Sequence, residues 1–266
     1  MQQAFDTVAQ RYDDSFTYSV IGMAQRNIVW GYLESVLSPN DELKILELNC
    51  GTGEDALWFA KRGHTVLATD ISEKMLEITK DKINEAGLFS TIQTKQIDIR
   101  KIDSAGIKEK FDLIFSNFGG MNCISFKEME KLPSEIKKFL NPDGQIILVV
   151  MPAFCLWETI YFFLKLSFRK AFRRLSKDGT IAQFNGTEIR TFYFSPARIK
   201  KVYKENFEVI TIKPIGFFIP PSYLDNFFSS RIKMFNNLKK LDRAVDGFSF
   251  IAGSSDHFLI HFQLKA

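Results

Sequence analysis

Residues 44–55, KILELNCGTGED, decide the fold that this sequence predicts. An apolar run that contains Glu47 is followed by Gly51 and Gly53, and helix-like sequence begins near Glu54. Glycine has no Cβ, so the backbone at these positions can approach a ligand closely. A helix that begins near Glu54 would point its free N–H groups and the positive end of its dipole into the same space. The stretch therefore predicts a strand, a ligand-binding turn and a helix.

Segments typical of strands and of helices alternate from this turn to residue 151. This alternation predicts parallel strands joined by right-handed crossovers, with ligands beyond the carboxyl ends of the strands. The predicted strands are KILEL, HTVLATD, IQTKQIDI, FDLIFSN and QIILVVM. The predicted helices are EDALWFAKRG, SEKMLEITKDKINEAG and FKEMEKLPSEIKKFL, the last with a break at Pro133. An earlier helix over residues 19–37 is expected to be closed by Pro39 and Asn40.

The pattern changes after residue 151. Residues 152–175 predict one helix, aromatic at its start and basic at its end, and the β-rich runs around Asn185-Gly186 predict a hairpin. Residues 223–245 predict another long helix, and DHFLIHFQLKA predicts a final strand. We divide the chain into a helical leader (1–39), an α/β core (40–151), a lid insertion with a hairpin (152–194) and a segment that completes the core (195–266), with a second lid insertion at about 216–254.

The composition argues against several classes of protein. The chain has 266 residues, 45% of them apolar, and a net charge of +4, which is too small to indicate nucleic acid binding. Cysteines 50, 123 and 155 have no metal-like spacing, so we expect no disulfide framework and no metal site. We find no stretch suited to a transmembrane segment and no signal peptide, and we expect a cytoplasmic protein.

The glycine turn by itself leaves three interpretations open. GTGEDA matches the G-x-G-x-x-A pattern of dinucleotide-binding proteins, and Asp70 lies 17 residues after Gly53, where an acid that binds a ribose is expected. An adenosyl ligand fits the same turn equally well. A tight turn with a purely structural role would contain the same glycines.

The neighbouring residues resemble one family in particular. Glu47-x-Asn49-x-Gly51-x-Gly53 resembles the E-x-G-x-G-x-G motif of class I S-adenosylmethionine-dependent methyltransferases. Further segments resemble that family's motifs in the same order, over roughly 1–151 and in the last strand. They are AFDTVAQRYDDSF, LATDISEKMLEITK, QIDI, FDLIFSNFGGMNCI and LNPDGQIILVV. The resemblance implies S-adenosylmethionine as the methyl donor and S-adenosylhomocysteine as the product.

The resemblance also implies roles for individual residues. Asp70 would bind both ribose hydroxyls, and Ile71 would flank the adenine. Asp98 would lie near the adenine amine with Ile99 beside the ring, and the region of Tyr12 would fold over the cofactor. The fourth motif would line the methionine end. The predicted cofactor site comprises Tyr12, Glu47, Asn49, Cys50, Gly51, Gly53, Asp70, Ile71, Asp98, Ile99, Ser116, Asn117 and Phe118.

The fold that the resemblance implies is α/β, with a Rossmann-like seven-stranded and mostly parallel sheet. Its strand order is 3-2-1-4-5-7-6 with strand 7 antiparallel, and HFLIHFQLKA is well suited to be that strand. Asn49 stands where the family usually has a glycine in a tight, often left-handed turn. Asparagine is one of the few other residues enriched at positive φ, so we interpret it as a tolerated replacement.

The sequence assigns no catalytic residue. Transfer from a sulfonium needs mainly alignment and the exclusion of water, so a base is not required for every substrate. The histidines at positions 64, 257 and 261 are interpreted as structural or surface residues. The remaining candidate proton acceptors, all equally weak, are Tyr12, Glu158, Asp225 and Asp256. No N/D-P-P-Y motif follows the fourth strand, which argues against methylation of DNA bases or protein glutamine.

Aromatic residues concentrate in the two lid insertions, and the chain has 27 phenylalanines. They are interpreted as lid core or as the walls of a pocket for an apolar or aromatic substrate, with the candidates Trp157, Tyr161, Phe217 and Tyr223. The basic stretch at 165–177 is interpreted first as a solvated face. The alternatives are a site for an acidic substrate tail and a peripheral contact with a membrane that holds a lipid-like substrate.

Together these observations predict a small-molecule methyltransferase that acts on an O, N or C atom. An RNA methyltransferase and a non-catalytic relative that binds the cofactor are the alternatives, and a nicotinamide-dependent dehydrogenase is the third. Against the dehydrogenase stand the helix before the first strand, Asp98 after the third, and the strand at the end of the chain. The oligomeric state is not predicted.

Overall fold

The computed structural model describes residues 2–38, 40–184 and 186–265, without the side chain of Phe184. The chain begins with helix α1 (Gln2–Tyr12), a π-helical turn and helix α2 (Val20–Val36). The Ser19 side chain caps α2 by accepting a hydrogen bond from the Gly22 N–H. Pro39, which we expected to close this helix, lies outside the described residues, as does Asn185 of the expected hairpin turn.

Five parallel strands and three helices alternate after the leader, as the sequence predicts. The strands are β1 (Lys44–Leu48), β2 (Thr65–Asp70), β3 (Ile92–Gln96), β4 (Phe111–Ser116) and β5 (Leu140–Val150). The helices are α3 (Glu54–Ala60), α4 (Glu73–Glu85) and α5 (Phe126–Ile136). Pro133 lies inside α5, so the prediction that it breaks this helix is wrong.

The remaining elements comprise the segment predicted to be the first lid insertion and the strands that complete the sheet. The first insertion contains α6 (Leu156–Leu164), α7 (Phe168–Ala171) and the hairpin strands β6 (Thr180–Phe184) and β7 (Thr187–Thr191). Next come α8 (Pro196–Tyr203), β8 (Phe207–Ile215), α9 (Asp225–Ser229), α10 (Ile232–Ala244) and β9 (His257–Leu264). The four-part division of the chain stays a prediction.

The sheet has the order β3-β2-β1-β4-β5-β9-β8. When the separate β6-β7 hairpin is left out of the numbering, this is the predicted order 3-2-1-4-5-7-6. Strand β9 pairs antiparallel with both β5 and β8, while the pairs among β1 to β5 are parallel. The predicted fold class and the antiparallel seventh strand are therefore confirmed.

Helices cover both faces of this sheet. Successive residues of β1 point to opposite sides: Leu46 packs in a core with α5 and α8, and Ile45 in a core with α2, α3 and α4. On β4, Ile114 packs in the same core as Leu46, and Leu113 packs in the same core as Ile45. Burying an aliphatic side chain of this size contributes about 1.5–3 kcal/mol, so these two cores hold the strand ends that carry the site. Within the described ranges, no helix is long and apolar enough to cross a membrane.

Both long helices predicted for the insertions are interrupted. The first ends at Leu164, because Leu166 adopts a left-handed backbone with φ of 54° that a helix cannot contain. The second is divided into α9 and α10 around Ser230 and Arg231. Helical periodicity continues across both breaks in the sequence, which is why the two predictions of unbroken helices are wrong.

Candidate active site

The turn between β1 and α3 follows a left-handed path at alternate residues. Asn49, Gly51 and Gly53 have φ angles of 58°, 55° and 82°. Asn49 thus adopts the conformation expected of a residue that replaces a glycine there. The two glycines have different roles: a Cβ at Gly53 would lie 2.5 Å from Thr79 on α4, whereas one at Gly51 would meet only Tyr12, at 3.8 Å. Gly53 permits close packing, and Gly51 keeps the backbone open toward the cavity.

Asp70, the last residue of β2, is held by this turn. Its Oδ2 accepts a hydrogen bond of 2.9 Å from the Gly51 N–H, and its Oδ1 accepts one of 2.9 Å from the Ser72 N–H. Burial raises the pKa of Asp70, and these backbone donors offset part of that rise. Because both oxygens are oriented by main-chain groups, the carboxylate is fixed where it lines the cavity.

Glu47 and Asn117 lie behind the cavity wall. Glu47 is 1% exposed, and its Oε2 has no hydrogen-bond partner among the described residues. Burial, together with nearby Asp55, raises the pKa of Glu47 well above its ordinary value. The Asn117 amide donates to Asp55 at 3.0 Å, and Asp55 also accepts from Trp30 and Arg26. These residues join the turn to α2.

A cavity of about 260 Å³ opens beyond the carboxyl ends of β1, β2 and β4. Eight of the thirteen predicted cofactor residues line it: Tyr12, Asn49, Gly51, Asp70, Ile71, Asp98, Ile99 and Phe118. The other five lie behind the lining: Glu47, Cys50, Gly53, Ser116 and Asn117. Asp98 forms an ion pair with Arg100, which lowers the pKa of Asp98 below its ordinary value.

The lid insertions close the opposite side of the cavity. Of the four predicted substrate residues, Tyr223 lines it. The Tyr161 ring packs against Tyr223 at 5.6 Å and lies one layer behind. Trp157 donates its indole N–H to the Phe218 carbonyl at 2.9 Å, so it belongs to the lid core. Phe217 does not belong to the cavity lining either.

A buried cluster of charges joins the lid to the last strand. The Arg174 guanidinium lies 3.0 Å from Glu158 and 2.8 Å from Asp256. Gln25 donates to the other Asp256 oxygen at 3.1 Å, and the His257 Nδ1 lies 3.2 Å from that oxygen. Burial alone would raise the pKa of Asp256, but His257 and Arg174 outweigh it and bring the pKa below its ordinary value. Asp256 is therefore an anion near neutral pH.

The three histidines have different surroundings. His257 lines the cavity, with its ring 5.2 Å from that of Phe118. His261 is hydrogen-bonded to the Tyr32 hydroxyl and to Gln145, and burial lowers its pKa to about 4. His64 accepts a hydrogen bond from the Leu43 N–H. His261 and His64 thus have structural surroundings, whereas His257 faces the site.

Other candidate proton acceptors have structural partners. Asp225 accepts a hydrogen bond of 2.8 Å from the Ile21 N–H at the start of α2, and Glu158 is paired with Arg173 and Arg174. Burial raises the pKa of the Tyr12 phenol, which disfavours it as a base near neutral pH.

Several residues that line the cavity were not predicted from the sequence, because elements distant along the chain bring them there. They include Phe5, Phe16, Met75, Cys123, Met151, Thr191, Tyr193 and Ser222. Phe5 and Met75 pack together where α1 meets α4, which no local pattern indicates. Gly119 and Gly120, which follow β4, gave a usable signal, because two adjacent glycines after a strand mark a close approach of backbone.

The comparisons with known proteins agree with this geometry. A family model described as a methyltransferase domain matches residues 45–144, which run from β1 into β5. Residues 45–144 are therefore similar to a methyltransferase domain, as the resemblance to the class I S-adenosylmethionine-dependent methyltransferases implies. The chain is 29% identical over 178 residues to malonyl-[acyl-carrier protein] O-methyltransferase of Buchnera aphidicola, and the match covers 65% of this chain and 60% of that one. The chain therefore spans less than two thirds of the length of this relative.

A second relative and a solved structure extend the comparison. Demethylmenaquinone methyltransferase of Bacteroides fragilis is 24% identical over 201 residues, which are 72% of this chain and 78% of that protein. The crystal structure of an S-adenosylmethionine-dependent methyltransferase from Methanosarcina mazei superimposes with a TM-score of 0.58 at 16% identity, covering 87% of this chain and 96% of that one. At that identity the superposition shows a shared fold.

The cavity fits the methyl donor of this family, S-adenosylmethionine. Gly51 leaves room for a ligand against the backbone, and the Asp70 carboxylate borders the same space. Ile71 and Ile99 supply apolar walls on that side. The arrangement offers a fixed carboxylate, apolar walls and a closed lid side within one continuous space.

Proposed function

We propose that this methyltransferase transfers the methyl group of S-adenosylmethionine to an O, N or C atom of a small apolar or aromatic substrate. The observation that carries the proposal is the continuity of the cavity, which joins Gly51 and Asp70 to the lid aromatics Tyr193 and Tyr223. The two relatives are named for methylation of malonyl-[acyl-carrier protein] and of demethylmenaquinone, which supports a substrate other than nucleic acid. The cysteines are free thiols, which supports a reducing, cytoplasmic compartment.

The cofactor would occupy the side of the cavity formed by the strand ends. Asp70 would bind the ribose hydroxyls, since a carboxylate accepts two such hydrogen bonds. Ile71 and Ile99 would enclose the adenine, with Asp98 near its amine. Tyr12, at the end of α1, would cover the ligand from the leader side. Asn49, Gly51 and Phe118 would line the methionine end.

The chain's own residues mainly align the acceptor and exclude water. S-adenosylmethionine supplies an electrophilic methyl group, so an in-line approach of the acceptor atom is the main requirement. The lid residues Tyr193 and Tyr223 close the acceptor side, and Phe16 and Phe118, whose ring centroids are 5.5 Å apart, line the same cavity. Aromatic faces near a sulfonium stabilise its charge by roughly 0.5–2 kcal/mol each.

His257 is the side chain that we propose as the proton acceptor where the substrate must lose a proton. The Asp256 carboxylate lies 3.2 Å from its Nδ1 without forming a hydrogen bond, so the imidazole has a buried anion beside it. Arg174 and Gln25 fix the Asp256 carboxylate, so the imidazole has an oriented and charged neighbour. This arrangement supports catalytic turnover over the alternative of a non-catalytic relative that only binds the cofactor.

An acidic substrate tail has less support. Arg173 and Arg174 line the cavity, but Arg173 is paired with Glu158, and Arg174 with Glu158 and Asp256. A carboxylate on the substrate would have to compete with these buried partners.

Calorimetric titration with S-adenosylmethionine and S-adenosylhomocysteine, with NADH and NADPH in parallel, tests the cofactor assignment. We expect the two adenosyl ligands to bind and the nicotinamides to fail. A screen of phenols, reduced quinones and aromatic amines with radiolabelled methyl donor then tests the substrate class. Binding of the nicotinamides, or of none of these ligands, would overturn the proposal. Methylation of RNA in place of the aromatic compounds would favour the alternative.

A further inference from the structure

The outer side of the first lid insertion is apolar and exposed. Leu164 and Leu166 are 77% and 78% exposed, more than most large apolar residues of a folded chain. We define the lid surface as the exposed apolar residues of this insertion up to the hairpin: Ile160, Phe163, Leu164, Leu166, Phe168, Phe172 and Leu175. The sequence analysis offered lid core as one interpretation of the aromatic residues in this insertion, but the side chains of the lid surface are exposed and do not form a core. A patch of this kind on one segment indicates a binding surface.

The backbone holds these side chains on one continuous surface. Ile160, Phe163 and Leu164 are three and four residues apart on α6 and share its outer face, away from buried Glu158. The rings of Phe163 and Phe168 pack at 5.2 Å, which joins α6 to α7. The lid surface is therefore a structural feature of both helices.

The connection between these helices fixes the most exposed residues. Leu166 has a φ of 54°, a conformation that residues other than glycine rarely adopt. The N–H groups of Leu166 and Ser167 donate to the carbonyls of Phe163 and Phe162, both at 2.9 Å, as at a capped helix end. This cap holds Leu164 and Leu166 toward solvent.

Positive charge surrounds the same residues. Residues 159–177 contain six Lys and Arg and no Asp or Glu. The four of these that are exposed, Lys165, Arg169, Lys170 and Lys177, form no ion pair with any residue that the structure describes. Glu158, which precedes them, is buried and engaged by Arg173 and Arg174. The exposed charge is therefore complementary to an anionic surface.

The lid surface adjoins the cavity through its own segment. Arg173 and Arg174, which follow Phe172, line the cavity. Phe162 lies on the inner side of α6 with its ring 6.1 Å from that of Tyr223, which lines the cavity and is 45% exposed. Tyr223 is thus an exposed residue that borders both the inner side of α6 and the cavity.

We propose that the lid surface docks this methyltransferase on an anionic membrane, from which an apolar substrate enters the cavity. Leucine and phenylalanine would enter the interface while Lys165, Arg169 and Lys170 contact lipid headgroups, as in interfacial amphipathic segments. A second copy of the chain is a poorer occupant, because a symmetric contact would bring the same positive charges together. The inference rests on the proposed function in one respect, that the substrate is apolar enough to reside in a bilayer.

Vesicle sedimentation of the full chain tests this docking. We expect binding to vesicles of phosphatidylcholine with phosphatidylglycerol, weak binding to phosphatidylcholine alone, and a decrease as salt is raised. The variant L164S/L166S should reduce partitioning roughly ten-fold, and K165E/R169E/K170E by at least as much. The apolar control is F89S, because Phe89 is 73% exposed and lies in the loop before β3. The charge control is K127E/K131E/K200E, which makes the same change in net charge on α5 and α8.

Two results would overturn the inference. One is equal partitioning of the lid variants and their controls. The other is concentration-dependent self-association in analytical ultracentrifugation that the lid variants abolish, since the surface would then join two copies of the chain. Titration with S-adenosylmethionine separates the two proposals: retained cofactor binding without vesicle binding rejects the docking alone, and loss of cofactor binding in the unaltered chain rejects the proposed function.

Discussion

The two sides of the cavity are built in different ways. On the cofactor side, Asn49, Gly51 and Asp70 belong to two consecutive strand-helix units, and main-chain hydrogen bonds set their positions. On the lid side, Glu158, Arg174 and Asp256 come from three separate segments and hold one another by buried charge. The cofactor side depends on local backbone geometry, whereas the lid side depends on long-range electrostatic pairing. Variants should therefore affect the two sides differently.

The largest expected effect comes from removing the centre of the buried cluster. Arg174→Met leaves the carboxylates of Glu158 and Asp256 buried without their main partner, which should lower the free energy of unfolding by about 3–5 kcal/mol. Urea titration measures this. The matched control is Lys138→Met, whose pair with Asp103 is exposed and should contribute about 0–1 kcal/mol. Equal losses for the two variants would show that the lid cluster does not stabilise the fold.

The pH dependence of the free energy of unfolding distinguishes the contribution of His261 in the core from that of Asp256 in the lid cluster. Burial holds the pKa of His261 at about 4, below its ordinary value of about 6.5. Between these values the unfolded chain binds more protons, so the free energy of unfolding should fall by roughly 2–3 kcal/mol as the pH drops from about 6.5 to about 4. His261→Gln should flatten that slope in urea titrations at several pH values. The pKa of Asp256 is below its ordinary value, so protonation of Asp256 should lower the free energy of unfolding only at still lower pH. An unchanged slope in the variant would contradict the assignment.

The third prediction tests whether the lid side takes part in the chemistry. His257→Gln should lower kcat about a hundred-fold, as loss of a general base does. Cofactor affinity should change less than kcat, because Asp70, which we propose to bind the ribose hydroxyls, is unaltered in this variant. A rate equal to that of the unaltered enzyme would show that alignment and exclusion of water suffice.

The smallest expected effect concerns the cofactor side. Asp70→Asn should weaken binding of S-adenosylmethionine about ten- to thirty-fold, the loss expected for charge-assisted hydrogen bonds to hydroxyls. Calorimetry measures it, and Asp81→Asn, an exposed position on α4, is the control. Unchanged affinity in a folded Asp70 variant would remove this residue from the site.

The sequence predicted the sheet and its order because strand periodicity and the spacing of motifs are local properties. It also predicted the positive φ of Asn49, since few residue types tolerate that conformation. It did not predict the break at Leu166, because the residues on both sides continue a helical pattern and the interruption comes from a cap at the end of α6. The predicted break at Pro133 was also wrong. Proline disfavours a helix interior, but α5 continues through Pro133 to Ile136.

The sequence by itself predicted the fold, the methyltransferase motifs and the cofactor, since each motif consists of residues near one another along the chain. The tertiary structure alone decided that Glu158, Arg174, Asp256 and His257 meet, and that the phenylalanines and leucines of the first insertion divide between an inner and an outer side. The physical reason is the distance along the chain between the residues that interact. A backbone turn is specified by the residues within it, whereas the pairing of buried charges depends on which distant segments the packed sheet brings together.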